Sequence, residues 1–336
     1  DCHKQRGSRY HVLLKDILRG QLRRLNRYSY AGTENEFSAA NIERAMEDLD
    51  EPLTDGLVRT SEKIYDALLL GKSYPETVGE GKSLSFNLKY IDWEHPENNV
   101  FHVTEEFSVD SLDKQHPARP DIVLFINGIP FGVIECKAPH ISVEQAVDQM
   151  VRNQQMDYIP QLFKYAQIVM ATNRNAVKYA TTKTPSKFWN VWKEENNVFM
   201  DQQTAQLIPD RTPTVQDKTI ISLFSKDRVM ELIRYFILFD ENVKKICRYQ
   251  QYFAIKEVMK TISQNDEKGN RHSGLIWHTQ GSGKSLTMVM LAKYILMELS
   301  SCNPRVVIVT DRKELDGQIA NTFTHTRLNP ARATSG

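Results

Sequence analysis

The stretch Arg119-Pro120-Asp121-Ile122-Val123-Leu124-Phe125-Ile126-Asn127-Gly128-Ile129-Pro130-Phe131-Gly132-Val133-Ile134-Glu135-Cys136-Lys137 has the pattern of a β-hairpin. Asn127-Gly128 is a strong two-residue turn signal between two apolar runs. Ile122 to Ile126 is continuously apolar, as expected of a strand covered on both faces. In the second strand Glu135 and Lys137 share one face, and Ile134 and Cys136 share the other. An acid and a base set against such a core are costly unless paired or metal-bound.

Strand parity makes this testable. A regular ladder closed by a two-residue turn pairs Asp121 with Ile134 and turns Glu135 away. An odd-length loop or a single bulge sets Asp121 directly opposite Glu135. In that arrangement the two carboxylates can hold a hard cation, Mg²⁺ by preference, through oxygen. The cation would polarise a phosphate and acidify a bound water, and Lys137 would orient that water or neutralise developing charge. The plainer alternative is a solvent-exposed ion pair at a sheet edge.

A helix is expected over 142–158, capped by Ser142, with Val143, Ala146, Val147, Met150 and Val151 as its buried stripe. Gln149 lies on its polar face. Strands are expected at Ile168–Ala171 and Ala176–Tyr179. Upstream, residues 11–28 read as a basic amphipathic helix, either a solvated face or a phosphate-contacting patch. Residues 38–70 read as helical with a break at Glu51-Pro52. The polar stretch 200–220 with Pro209 and Pro213 marks a domain boundary, which divides the chain into 1–215 and 216–336.

The second half carries Trp277-His278-Thr279-Gln280-Gly281-Ser282-Gly283-Lys284-Ser285, between an expected strand (Gly274–Trp277) and an expected helix (Ser285–Leu299). That is the setting of a phosphate-binding loop. Gly281 and Gly283 let the backbone approach phosphate, Lys284 would reach the β- and γ-phosphates, and Ser285 would hold Mg²⁺. Thr279 and Ser282 complete the candidate loop. A further strand is expected at Val306–Val309, which implies a βαβ unit in a parallel sheet. Helices are expected at 226–238 and 250–262.

These motifs resemble known families. Pro120-Asp121 with Glu135-Cys136-Lys137 resembles the PD-(D/E)xK nuclease core and, more narrowly, the nuclease domain of type I restriction enzyme R subunits. The resemblance implies metal ligation by Asp121 and Glu135, and catalysis by Lys137. It also implies a Q-x-x-x-Y motif on the following helix, with Gln149 in the first position. Asn153 stands where the family has Tyr, and Tyr158 offers the same spacing from Gln154. Arg248-Tyr249-Gln250-Gln251-Tyr252-Phe253-Ala254 resembles the helicase Q motif, with Gln251 as the adenine reader and Gln250 as the fallback. The GSGKS loop resembles that of helicase superfamily 2, with His278 where the general pattern has Gly. Val307-Ile308-Val309-Thr310-Asp311-Arg312 resembles motif Ia of the R-subunit motor and makes Arg312 a candidate DNA contact, unless it pairs with Asp311 or Asp316.

The implied architecture is an α/β protein. It has a PD-(D/E)xK nuclease domain, a mixed sheet flanked by helices, followed by a partial RecA-like parallel α/β domain. The implied function is ATP-dependent cleavage of double-stranded DNA, with Mg²⁺ and ATP as cofactors and modification and specificity subunits as partners. No acidic box or arginine finger follows Asp311, so weak ATP turnover is expected of this chain alone. Alternatives are a non-cleaving DNA-docking module and a helicase with an accessory domain. A restriction enzyme with a fused methyltransferase would look the same over these residues.

Composition agrees with this and narrows it. With 43 basic and 42 acidic side chains the net charge is +1, so nucleic acid must be met by local patches rather than a global field. Cys2, Cys136, Cys247 and Cys302 are scattered, with no metal-ligand spacing, which fits a reducing cytoplasm. No apolar run approaches the roughly 18 residues a membrane span needs.

Overall fold

The computed structural model describes residues 5–194, 198–279, 281–311, 313–326, 328, 330 and 331. Two compact units divide it. The first comprises 1–190 with 195–230 and the second 191–194 with 231–336, so the change of unit falls within one helix, Lys226–Tyr235.

The first unit opens with helix α1 (Lys15–Leu25), which buries Leu18 and Leu22. A small hairpin follows, β1 (Arg27–Tyr30) and β2 (Thr33–Glu36). Helices α2 (Ala39–Leu49) and α3 (Leu57–Leu70) are separated at the expected Glu51-Pro52 break. A second hairpin joins β3 (Lys72–Val78) to β4 (Lys82–Leu88).

The centre of the unit is a five-stranded mixed sheet, ordered β5 (Phe101–Glu105), β6 (Ile122–Ile126), β7 (Ile129–Cys136), β8 (Ile168–Thr172) and β9 (Val177–Ala180). Only β7 and β8 run parallel, linked by helix α4 (Val143–Asn153) and the short α5 (Pro160–Phe163). One face of the sheet, with Ile122, Leu124, Ile134, Cys136 and Met170, packs on Ile220 and Phe224 of α7 (Val215–Phe224), the next helix after α6 (Val198–Leu207). Although α7 begins at the boundary expected from composition, it belongs to the first unit. Gln216 Oε1 accepts from Thr172 Oγ1 at 3.1 Å and from Arg174 N at 3.0 Å.

The β6–β7 turn is the two-residue turn that Asn127-Gly128 announces. Both residues have positive φ, 52° and 83°, the requirement of a type I′ turn. A Cβ on Gly128 would lie 2.6 Å from the Leu14 carbonyl, so only glycine fits where the turn meets the start of α1. Asn127 is fully buried. Its Nδ2 donates to Tyr90 O and Asn99 Oδ1, and its Oδ1 accepts from Val100 N.

The second unit holds α8 (Lys226–Tyr235) from Glu231 onward, the hairpin β10 (Ile237–Asp240) and β11 (Val243–Ile246), α9 (Tyr249–Ile262), α10 (Lys284–Glu298) and α11 (Lys313–His325). The expected helix over 226–238 stops at Tyr235, and Ile237 and Leu238 enter the hairpin instead. Aromatic contacts among Tyr235, Phe236, Tyr252 and Tyr294 form much of its core.

The expected strands at Gly274–Trp277 and Val306–Val309 are not formed, and the βαβ reading is corrected accordingly. Neither segment has a ladder partner among the described residues. Leu275, Trp277, Val307 and Val309 are each more than 80% exposed. A strand is defined by its neighbours, and among the described residues these apolar runs have none to pair with.

Candidate active site and nucleotide loop

The β6–β7 ladder is not regular. Ile126 pairs with Ile129 and Phe125 with Pro130, but Leu124 pairs with Gly132 and Ile122 with Ile134. Phe131 is the extra residue of a bulge. This single step changes the parity of everything beyond it and carries Asp121 opposite Glu135. Gly132, beside the bulge, admits the close approach of Leu124 and Phe224, since a Cβ there would sit 3.1 Å and 3.2 Å from them.

The residues at this end of the sheet converge. Asp121 Oδ2 accepts from the Cys136 amide at 2.6 Å. Lys137 is tied by its own amide to Thr172 O at 2.8 Å, and its ammonium donates to Glu135 Oε1 at 2.9 Å and Gln149 Oε1 at 2.7 Å. Ser142 caps α4 by accepting from Glu144 N, and the helix lies over the Glu135 face so that Gln149 reaches Lys137. Asp121, Glu135, Lys137 and Gln149 therefore lie together in one cluster. The edge ion-pair alternative fails, because Glu135 is 2% exposed and β7 is the central strand.

Burial governs the electrostatics of the cluster. Burial raises the Glu135 pKa, opposed by the Lys137 hydrogen bond and reinforced by the nearby Asp121 charge. Glu135 Oε2 is buried and accepts no hydrogen bond. A buried carboxylate oxygen without a donor calls for an explanation, and a cation is the simplest one. The donor set fits a hard divalent ion: two opposed carboxylates and no soft ligand. Among the described residues no group of three or more His, Cys, Asp or Glu side chains is arranged to hold a metal ion, so water or phosphate would complete the shell of a two-carboxylate site. Burial, then Asp121 and Glu135, push the Cys136 thiol up to about 11, and its side chain packs with Ile134 and Met170 on the other face of the sheet.

The helix carrying Gln149 ends at Asn153 rather than 158. Asn153 is buried and Tyr158 lies beyond the helix, with its ring 5.4 Å from the Arg152 guanidinium. Gln154 turns inward, accepting from Lys183 N and donating to Met150 O. Arg152 escaped the sequence reading although it stands three residues after Gln149, a spacing that keeps both on one flank of a helix. On α1 the phosphate-patch reading weakens. Arg19 is paired with Glu43 and Asp16, and Arg24 is bound to Gln21 and the Asn98 carbonyl.

In the second unit Gly281 and Gly283 both take positive φ, and α10 begins directly after Gly283 with Lys284 and Ser285 in its first turn. Lys284 Nζ donates to the carbonyls of His278 and Thr279, each at 2.9 Å, and Ser282 Oγ donates to Thr279 O at 2.7 Å. Gln251 is buried and bridges Arg248 N to Gly283 O, whereas Gln250 is exposed. Arg312 lies outside the described residues.

A family model described as the N terminus of the type I restriction enzyme R protein matches residues 1–188. The chain belongs to that family. A second model, the SWI2/SNF2 ATPase, matches residues 250–336 of this R-family chain. The HindI endonuclease subunit of the type I restriction enzyme of Haemophilus influenzae is 29% identical over 82% of the chain. Two putative type I endonuclease subunits of Methanocaldococcus jannaschii, MjaIXP and MjaVIIIP, are 31% and 30% identical over 81% and 91% of it. The chain spans 27–28% of the length of these three relatives. No helix among the described residues is long and apolar enough to cross a membrane.

Proposed function

We propose that the first unit is a metal-dependent nuclease of the PD-(D/E)xK type, and that it cleaves double-stranded DNA as part of a type I restriction endonuclease in the cytoplasm. The bulge that sets Asp121 against Glu135 carries this reading. Asp121 and Glu135 would hold Mg²⁺, which when bound supplies Lewis acidity at the scissile phosphate and a more acidic water. Lys137 lies between Glu135 and Gln149, and its ammonium presents a proton donor toward the phosphate oxygens that gain charge. Gln149 acts through Lys137 and sets its direction.

The family and the relatives' printed names support the endonuclease role. Coupling to an ATP-driven, RecA-like motor and assembly with modification and specificity subunits are part of the same proposal. Asp121→Ala and Lys137→Ala should each lower Mg²⁺-dependent cleavage about 10³-fold or more, with far-UV circular dichroism and melting cooperativity preserved. Retained cleavage in both would leave a DNA-docking module as the better reading.

The second unit is proposed to bind ATP-Mg²⁺ through Thr279, Gly281, Ser282, Gly283, Lys284 and Ser285, with Gln251 at the adenine edge and Arg312 on DNA. Lys284 rests on loop carbonyls, and among the described residues the segments flanking the loop have no ladder partners. This chain alone is therefore expected to turn over ATP below about 0.1 s⁻¹ even with DNA, against roughly 10 s⁻¹ for a typical enzyme. Phosphate release at the typical rate would refute that.

A further inference from the structure

We infer that Arg152 holds a DNA backbone phosphate beside the Asp121–Glu135 pair, and that Tyr158 is the residue that positions it; the inference rests on the nuclease reading above for its substrate.

The geometry is specific. Arg152 stands in the last turn of α4, three residues beyond Gln149, on the flank facing the cluster. Its guanidinium is exposed and lies 5.4 Å from the Tyr158 ring centroid; that ring is in turn 5.2 Å from the His116 ring. No carboxylate of the described residues pairs with it. Arg19, Arg27, Arg119 and Arg211 of the same unit are each tied to an acid. An aromatic partner engages the flat face of a guanidinium and leaves its in-plane N–H donors open. Those donors match two phosphate oxygens. Arg152 is also among the charges acting on Glu135, behind burial, Lys137 and Asp121, so it belongs to the field of the site. A lone cation at a helix C-terminus gains a little from the helix dipole, but that needs no aromatic support.

The test is DNA affinity of the full chain against salt, with Ca²⁺ replacing Mg²⁺ to suppress cleavage, alongside cleavage in Mg²⁺. Arg152→Gln should lower the slope of log affinity on log salt by about one and reduce cleavage 10- to 100-fold. Mg²⁺ affinity by calorimetry should stay within about twofold. Arg152→Lys should recover the slope but not the full rate, because a point charge replaces a two-pronged donor. Tyr158→Phe should match the parent, since the ring and not the hydroxyl supports Arg152, while Tyr158→Leu should lose part of the cleavage rate. An unchanged salt slope in Arg152→Gln overturns the inference, and so does a loss of Mg²⁺ affinity, which would mean Arg152 acts through the metal ligands. If Asp121→Ala abolishes cleavage and Arg152→Gln does not weaken it, only the Arg152 assignment falls. If Asp121→Ala cleaves normally, the nuclease reading falls and the salt slope still decides the phosphate contact.

Discussion

Glu135→Gln is expected to abolish Mg²⁺-dependent cleavage, by about 10³-fold or more, while leaving the metal-free protein at least as stable as the parent. Three decades of rate correspond to about 4 kcal/mol at the transition state, within what a metal-held carboxylate can supply. The stability half follows from burial. Glu135 has a pKa above its ordinary value of 4.5 because the folded protein resists the charge, and one of its oxygens has no donor. The neutral amide keeps an acceptor for Lys137 and removes the buried charge.

The pH dependence has a definite sign. Below 4.5 both folded and unfolded Glu135 carry the proton. As pH rises from 4.5 through the raised folded value, the unfolded chain ionises first, so the metal-free parent loses stability across that window. Glu135→Gln should lack that decline. Stabilisation by added Mg²⁺ should grow over the same window in the parent, because the ligand must shed its proton to bind. Melting curves from pH 4.5 to 8, with and without Mg²⁺, measure all three. A Gln variant that melts well below the parent at pH 7 without metal would show that the buried charge is not the cost argued here.

Asn127→Ala is expected to destabilise the first unit by about 3–5 kcal/mol, a large share of a domain's total. Truncation strips partners from the buried Tyr90 carbonyl and the Val100 amide, at about 1–3 kcal/mol each. It also places alanine at φ 52°, at a cost of about 1 kcal/mol. Asn127→Gly separates the two causes, since glycine accepts the backbone angle but makes no side-chain bonds. It should recover about 1 kcal/mol of the alanine loss in denaturant titration. If alanine and glycine destabilise by less than 1 kcal/mol, the turn is not the anchor the hydrogen bonds suggest.

The candidate site was legible in part because its constraints are local. Asn127-Gly128 specifies a type I′ turn through backbone angles alone, and alternation puts Glu135 and Lys137 on one face whatever surrounds them. The need for a parity change between Asp121 and Glu135 could be stated from residue counting. Its location could not. A signal was present in Pro130, which has no N–H to give a ladder and in a central strand points to a bulge nearby. The β1–β2 hairpin carries no such signal, for a related reason. Arg27–Tyr30 and Thr33–Glu36 are polar, short and largely exposed, so no apolar alternation marks them. At Gly274–Trp277 and Val306–Val309 the apolar runs have the local pattern of strands, yet no ladder includes them among the described residues.

From sequence alone came the turn, the facing of the acid and the base, the glycine-rich loop ahead of a helix, and the family these motifs resemble. Each depends on neighbours a few residues away. The tertiary structure decided that the extra residue is Phe131, where Gly132 lets Phe224 close on the sheet, and thereby that Asp121 meets Glu135. It decided that Gln149 holds Lys137 and that Arg152 leans on Tyr158. It also withheld the strands beside the glycine-rich loop, because a ladder forms only when another stretch of chain lies alongside, and local sequence carries no record of which one does.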